Sequence, residues 1–171
     1  MVLTGYGILD AVKANDITIT PFDPSQLNSA SYDVRIGDSL KVYKNRVLDP
    51  DIENPTTDLE IPEKGIILYP GTVYLAKTIE RTETTKYCPM LCGKSSWGRL
   101  GLTIHVTAGW GDPGFRGQWT LELTCAQPVI LKPNRLIGQL VFFETKGALM
   151  EYQGRYQDSE DIIGSRLYKG E

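Results

Sequence analysis

Trp119-Thr120-Leu121-Glu122-Leu123-Thr124 alternates strictly between apolar and polar side chains. A strand sends successive side chains to opposite faces, so Trp119, Leu121 and Leu123 share one face and Thr120, Glu122 and Thr124 the other. The same period runs through residues 31–36, where Tyr32, Val34 and Ile36 oppose Asp33 and Arg35, and it repeats at Leu40 and Val42. Short β-like runs recur at 65–69, 72–79, 102–107, 118–124, 128–131 and 136–143, punctuated by 17 glycines and 10 prolines. Many short strands with turn signals between them predict an all-β chain, folded as an antiparallel sandwich or barrel.

Helical period is confined to the N-terminus. Thr4 suits the cap of a short helix running to about Asn15, with Ile8, Leu9 and Val12 on one face and Pro21 barring any continuation. Residues 44–64 are rich in Asp, Asn, Pro and Glu and predict a long surface loop. The segment 153–171 is polar apart from Ile162, Ile163 and Leu167. It reads either as a disordered tail or as a lid that orders over a ligand, and Gly154, Tyr156, Gly164 and Arg166 suit the lid.

The 171 residues predict a single domain, 1–171, with no room for a regulatory one. A chain of this size buries roughly 70% of its unfolded surface and can build a core without disulfides or a structural metal. Hydrophobic residues at 41% and charged residues at 23% exclude wholesale disorder and a fibrous repeat. No apolar run approaches 18 residues, and Met1–Ala14 lacks the basic and apolar regions of a signal peptide, so no membrane span or secretion is expected. A net charge of −3 argues against general nucleic-acid binding. Three cysteines, with no mark of secretion, predict free thiols in a reducing cytoplasm. Cys88 and Cys92 have no partner pair, and His105 is the one histidine, so the sequence offers no zinc site.

Chemistry is densest at 93–124. Gly93-Lys94-Ser95-Ser96-Trp97-Gly98-Arg99 reads either as a phosphate-holding turn or as a plain turn with a serine cap. If 95–99 forms one helical turn, Ser95 and Arg99 share a face. The order of a P-loop is absent. Glu122 is a candidate proton-transfer carboxylate, although periodicity alone places it on the wet face of a sheet. Asp112 sits in the Pro/Gly turn Ala108–Phe115, either closing it or serving as a rigid general base. His105 shares the polar face of Thr103 and Thr107 and reads as a hydrogen-bonded structural histidine.

Together these segments resemble the dCTP deaminase branch of the trimeric dUTPase superfamily. The resemblance rests on S-S-x-x-R-L-G-L-x-x-H-V-T-A at 95–108, D-P-G-F-x-G at 112–117 and T-L-E-L at 120–123. It extends to P-x-x-L-x-x-x-x-x-I-G-Q-L at 128–140, Tyr156-Gln157, Ser165-Arg166, S-Y-D-V-R at 31–35 and the N-terminal helix. It implies a distorted β-barrel or jelly-roll of dUTPase-like type, with a short N-terminal helix and a C-terminal lid. It also implies a homotrimer with active sites at subunit interfaces and zinc-independent deamination of dCTP. The H-x-E and P-C-x-x-C of zinc deaminases are indeed missing here.

By resemblance, Glu122 activates water for attack on cytosine C4 and shuttles protons to the departing ammonia. Ser95 and the carbonyl of Ala108 orient that water, and Arg99 holds the geometry near Ser95 and Glu122 or steadies the phosphates. Lys94, Ser95, Ser96 and Gln139, with Trp97 and Gly98 in the same turn, bind phosphates or sugar. Asp112 meets the 3′-hydroxyl and Phe115 stacks on the sugar. Backbone groups of Thr120 and Leu121 read the base edge. Tyr152, Arg155 and Tyr156 close over a triphosphate bridged by Mg²⁺. Arg155 and Ser159 stand where the family commonly has Lys and Gln. Monofunctional members typically read T-A-H-R-x-D and release dUTP. Bifunctional members read T-A-G-[FW]-x-D and release dUMP. Thr107-Ala108-Gly109-Trp110-Gly111-Asp112 follows the second form. Asp112 would then polarise a second water toward the α-phosphorus, in room left by Gly109, with magnesium neutralising the leaving pyrophosphate. The alternatives are release of dUTP, a dUTPase without deamination, and a nucleotide-sensing or protein-binding relative without chemistry. Feedback inhibition by dTTP in the same pocket is also implied.

Overall fold

A computed structural model describes residues 1–170. Helix α1 (Gly5–Lys13) starts where Thr4 caps it, its hydroxyl accepting from the Gly7 N–H at 3.1 Å. It ends at Lys13 with Ala14 as its cap, and the φ of 60° at Asn15 bars continuation before Pro21 is reached. Eleven strands follow: β1 (Thr18–Thr20), β2 (Tyr32–Arg35), β3 (Ser39–Tyr43), β4 (Thr56–Glu60), β5 (Ile66–Leu68), β6 (Tyr74–Glu83), β7 (Tyr87–Gly93), β8 (Leu102–Thr103), β9 (Arg116–Cys125), β10 (Val129–Leu131) and β11 (Leu136–Glu144). The short helix α2 (Ser95–Arg99) stands between β7 and β8.

The strands pair antiparallel in three sheets, β4-β3-β6-β9-β8 with β1 added on β6, β2-β11-β7, and β10-β5. The sheets wrap one apolar core in the expected all-β barrel. Tyr32, Val34, Ile36 and Leu40 are buried, as are Trp119, Leu121 and Leu123 from β9. Long partners β6 and β9 pair Leu75 with Glu122 and Ala76 with Leu121. Leu121 is fully buried, so Leu121→Ala is expected to cost about 2–5 kcal/mol in a denaturant titration.

Two local readings need correction. The loop at 44–64 contains β4, an edge strand whose polar residues cover β3 in register Ser39–Glu60 to Tyr43–Thr56. Residues 102–107 are a strand only at Leu102–Thr103. Beyond it the Val106 N–H turns to the Glu122 carboxylate instead of a ladder carbonyl. Strand β7 carries Pro89, which hides its period. Pro89 is tolerated because its carbonyl accepts from Gly111 N–H at 2.8 Å while no donor is required of it. The polar face of β2 is turned inward, with Asp33 buried. Glu80, fully buried, accepts from Arg35 Nε at 2.7 Å, the Arg35 backbone N–H at 2.8 Å and Gln26 Nε2 at 3.0 Å.

Candidate active site

The even-numbered face of β9 presents Thr120 and Glu122 to a cavity of about 460 Å³, within the usual range for a small-molecule site. The turn after β8 supplies Ala108, Trp110, Gly111 and Asp112 to the same cavity, and Phe115 closes the turn. Tyr152, Tyr156 and Ser159 line it from the C-terminal segment. Thus eight of the sequence-selected positions share one cavity: Ala108, Asp112, Phe115, Thr120, Glu122, Tyr152, Tyr156 and Ser159.

Glu122 is half-buried, not a free wet-face side chain. Its Oε2 accepts from the Val106 backbone N–H at 3.0 Å. Among the described residues its Oε1 has no protein partner and is free for a water. Asp112 is exposed to the cavity, and its carboxylate likewise has no hydrogen bond among the described residues. The cavity therefore holds two carboxylates in different settings, one tethered and one open. It is lined by no lysine, arginine or histidine among the described residues.

The cationic group lies elsewhere on the chain. Lys94, Ser96 and Trp97 line a second cavity with Leu100, Asn134, Arg135 and Leu136. Ser95, Gly98 and Arg99 are exposed on α2, and among the described residues no hydrogen bond joins Ser95 or Arg99 to Glu122. So α2 forms the expected helical turn, but a single chain does not bring Ser95 and Arg99 to Glu122. Lys94, not a serine, occupies the cap position, and its ammonium is paired 2.5 Å from the buried Asp33 carboxylate. Gln139 accepts from Ser31 Oγ at 2.8 Å and donates to the Gly93 carbonyl at 3.2 Å, so its amide braces this turn. Leu121 points its side chain into the core.

Gly109 does not open room in the cavity, contrary to the expectation. It is buried behind the turn, where a Cβ would meet the Leu91 carbonyl at 2.5 Å and His105 Nε2 at 2.9 Å. Glycine is required there by the close approach of β7. The His105 Nδ1 is buried without a hydrogen-bond partner among the described residues, so the hydrogen-bonded reading of His105 does not hold at that atom. The thiols of Cys88, Cys92 and Cys125 are free. Burial, and then the Asp112 carboxylate, pushes the Cys88 thiol above its ordinary value. It stays protonated and donates to the Gly111 carbonyl at 2.9 Å.

The C-terminal segment is folded over the cavity. Ser159 pairs with Gly117, its carbonyl accepting from Gln118 N–H at 2.7 Å. Its hydroxyl donates to the Gln118 carbonyl at 2.7 Å, so Ser159 fastens the segment. Arg155 donates to the Arg166 carbonyl at 3.2 Å and does not line the cavity. Sequence reading missed Tyr43, whose hydroxyl accepts from Ser165 N–H at 3.0 Å at the cavity wall. It also missed Leu75, while Gly164, expected in the lid, lines the cavity beside Ile163. No motif marks Tyr43 or Leu75, because β3 and β6 meet the tail only in the fold.

Arg116 grips Asp158 at 2.6 and 3.1 Å and holds its carboxyl below the ordinary 3.8. The Ile162 backbone N–H, and then Lys41 and Lys77, does the same for Asp161. A depressed carboxyl favours closure above its ordinary pKa and loses that contribution as pH falls through the folded value. Protection of the Gln118 amide is therefore expected to fall below about pH 4. In Asp158→Asn it should already be reduced a few-fold at pH 7, with less acid dependence, as amide exchange would register.

Among the described residues no three His, Cys, Asp or Glu side chains converge to hold a metal. No helix is long and apolar enough to cross a membrane.

Residues 2–145 match the family model described as dCTP deaminase-like. A protein of Clostridium beijerinckii (strain ATCC 51743 / NCIMB 8052) named dCTP deaminase, dUMP-forming, is 47% identical over 170 residues, covering 99% of this chain and 98% of that one. One of Clostridium botulinum (strain Eklund 17B / Type B) with the same name is 48% identical with the same coverage. The crystal structure of 2′-deoxycytidine 5′-triphosphate deaminase from Agrobacterium tumefaciens matches with a TM-score of 0.66 over 82% of this chain and 47% of that chain. At 19% identity that likeness is one of fold.

Proposed function

The chain belongs to the dCTP deaminase-like family, and on that premise we propose that it is a dUMP-forming dCTP deaminase. One dCTP and two waters become dUMP, pyrophosphate and ammonia. The observation that carries the reading is the single cavity holding a tethered Glu122 and an open Asp112.

Glu122 takes a proton from a water placed by its free oxygen, the Ala108 carbonyl and Ser95 of a neighbouring copy. The water oxygen bonds to cytosine C4, the C4–N4 bond breaks, and Glu122 returns the proton to the leaving nitrogen. Backbone groups of Thr120 and Leu121 read the base edge, and Phe115 stacks on the deoxyribose. Asp112 then draws a proton from a second water. That oxygen bonds to the α-phosphorus and the bond to the bridging oxygen breaks, releasing pyrophosphate.

A triphosphate needs cations that this cavity lacks. Lys94, Ser95, Ser96 and Arg99 stand outside it on α2. A neighbouring copy presenting α2 to the cavity would supply them, as in the homotrimer with shared sites that the resemblance implies. Mg²⁺ arrives on the triphosphate as part of the substrate. Tyr152 and Tyr156 close the lid. By resemblance dTTP competes for this pocket and the protein works in the cytoplasm, in keeping with its free thiols.

Purified protein incubated with dCTP and Mg²⁺, with products separated by ion exchange, tests the reading. The expected products are dUMP and pyrophosphate with no accumulating dUTP. Stoichiometric dUTP would make the protein a deaminase alone. Intact dCTP beside cleaved dUTP would make it a dUTPase and remove the role given to Glu122.

A further inference from the structure

We propose that Trp119 is a positioning residue for the second hydrolysis, acting through Gly111 and Phe115 to hold Asp112. The inference rests on the function proposed above.

A Cβ at residue 111 would meet the tip of the Trp119 ring, with Pro89 Cγ 3.0 Å and the Pro89 carbonyl 3.1 Å away. The indole thus fills the space that any side chain at 111 would take. The peptide leading into Asp112 is fastened on its other sides too. Gly111 N–H donates to the Pro89 carbonyl at 2.8 Å, and its own carbonyl accepts from Cys88 Sγ at 2.9 Å. After Asp112, the Phe115 N–H returns to the Asp112 carbonyl at 3.1 Å. The Phe115 ring meets Trp119 edge-on at 5.2 Å. Trp119 therefore contacts the chain on both sides of Asp112.

The indole is itself immobile. Its ring N–H donates to Thr82 Oγ1 at 2.9 Å and its backbone N–H to Thr78 Oγ1 at 3.0 Å, and both threonines are buried. The Asp112 side chain has no tether of its own among the described residues. Its direction is consequently set by the turn, and Trp119 packs against that turn before and after Asp112. Glu122 lies three residues on, on the alternate face of β9, and is held by Val106. Loosening the indole should thus displace Asp112 while leaving Glu122 in place. A misplacement of about 1 Å costs as much as 10²-fold in rate.

The test compares Gly111→Ala, Trp119→Phe and the double variant with the wild-type protein. Each is fed dCTP with Mg²⁺, products are separated by ion exchange, and melting is followed in parallel. Either single change should lower the dUMP-to-dUTP ratio about tenfold or more, so that dUTP accumulates. The double variant, where the smaller ring leaves room for the new methyl, should recover most of that ratio. Trp119→Phe keeps an aromatic ring in the core and answers the question if Gly111→Ala does not fold. Single variants that keep the wild-type ratio, or lose both steps in parallel with melting temperature, would overturn the proposal. Wild-type protein that itself accumulates dUTP would overturn the functional reading and this inference together.

Discussion

Glu122→Gln is expected to lower dCTP turnover by about 10²–10⁴-fold, the usual contribution of a positioned general acid–base. The amide is isosteric, so its oxygen still accepts the Val106 N–H that fixes the native carboxylate at 3.0 Å. Fold and pocket shape are kept. What is lost is the ability of the free oxygen to take a proton from water and return it to the leaving nitrogen. Deamination comes first, so no dUMP should form from dCTP. Supplied dUTP should still be cleaved, because that step is assigned to Asp112. Calorimetric titration should find nucleotide affinity within a few-fold of the wild type. Turnover of dCTP at the wild-type rate would exclude Glu122 from the chemistry.

Asp112→Asn separates the two steps from the other side. Asp112 lies in the same cavity, and no described side chain ties it down. Replacing it removes a general base while leaving Glu122 intact. Cleavage of the α-phosphorus bond is expected to fall by about 10²–10⁴-fold, while deamination falls far less. The product of dCTP then becomes dUTP, visible on ion exchange and free of pyrophosphate. An equal fall of both steps would assign Asp112 to sugar binding alone.

Much of this site was legible before the fold. Glu122 could be placed because strict alternation at 119–124 assigns each side chain a face, and the buried Trp119, Leu121 and Leu123 follow that assignment. Asp112 could be placed because Asp-Pro-Gly makes a turn whatever surrounds it. Gly109 was legible as a glycine but not for its reason. Its Cβ is excluded by the Leu91 carbonyl of β7, a strand whose period Pro89 obscures. Tyr43 and Leu75 were illegible as site residues, since neither belongs to a local pattern with Glu122.

By itself the sequence determined the all-β class, the capped N-terminal helix, the core face of β2 and β9, and the residue types able to move protons. These follow from periods of a few residues, which local sterics and burial enforce wherever the segment sits. Only the tertiary structure decided which polar residues are wet, where the tail lies and which charges meet. Asp33 and Glu80 are buried and paired because Lys94, at the start of α2, and Arg35, on β2, reach them from distant parts of the chain. The tail closes on the cavity because Ser159 finds the backbone of Gln118. Most decisively, Glu122 and Asp112 share a cavity from which Ser95 and Arg99 are absent. Nearness in sequence within 93–124 carried no information about that separation. The direction in which α2 leaves the barrel is set by sheet pairing, and sheet pairing joins residues far apart along the chain.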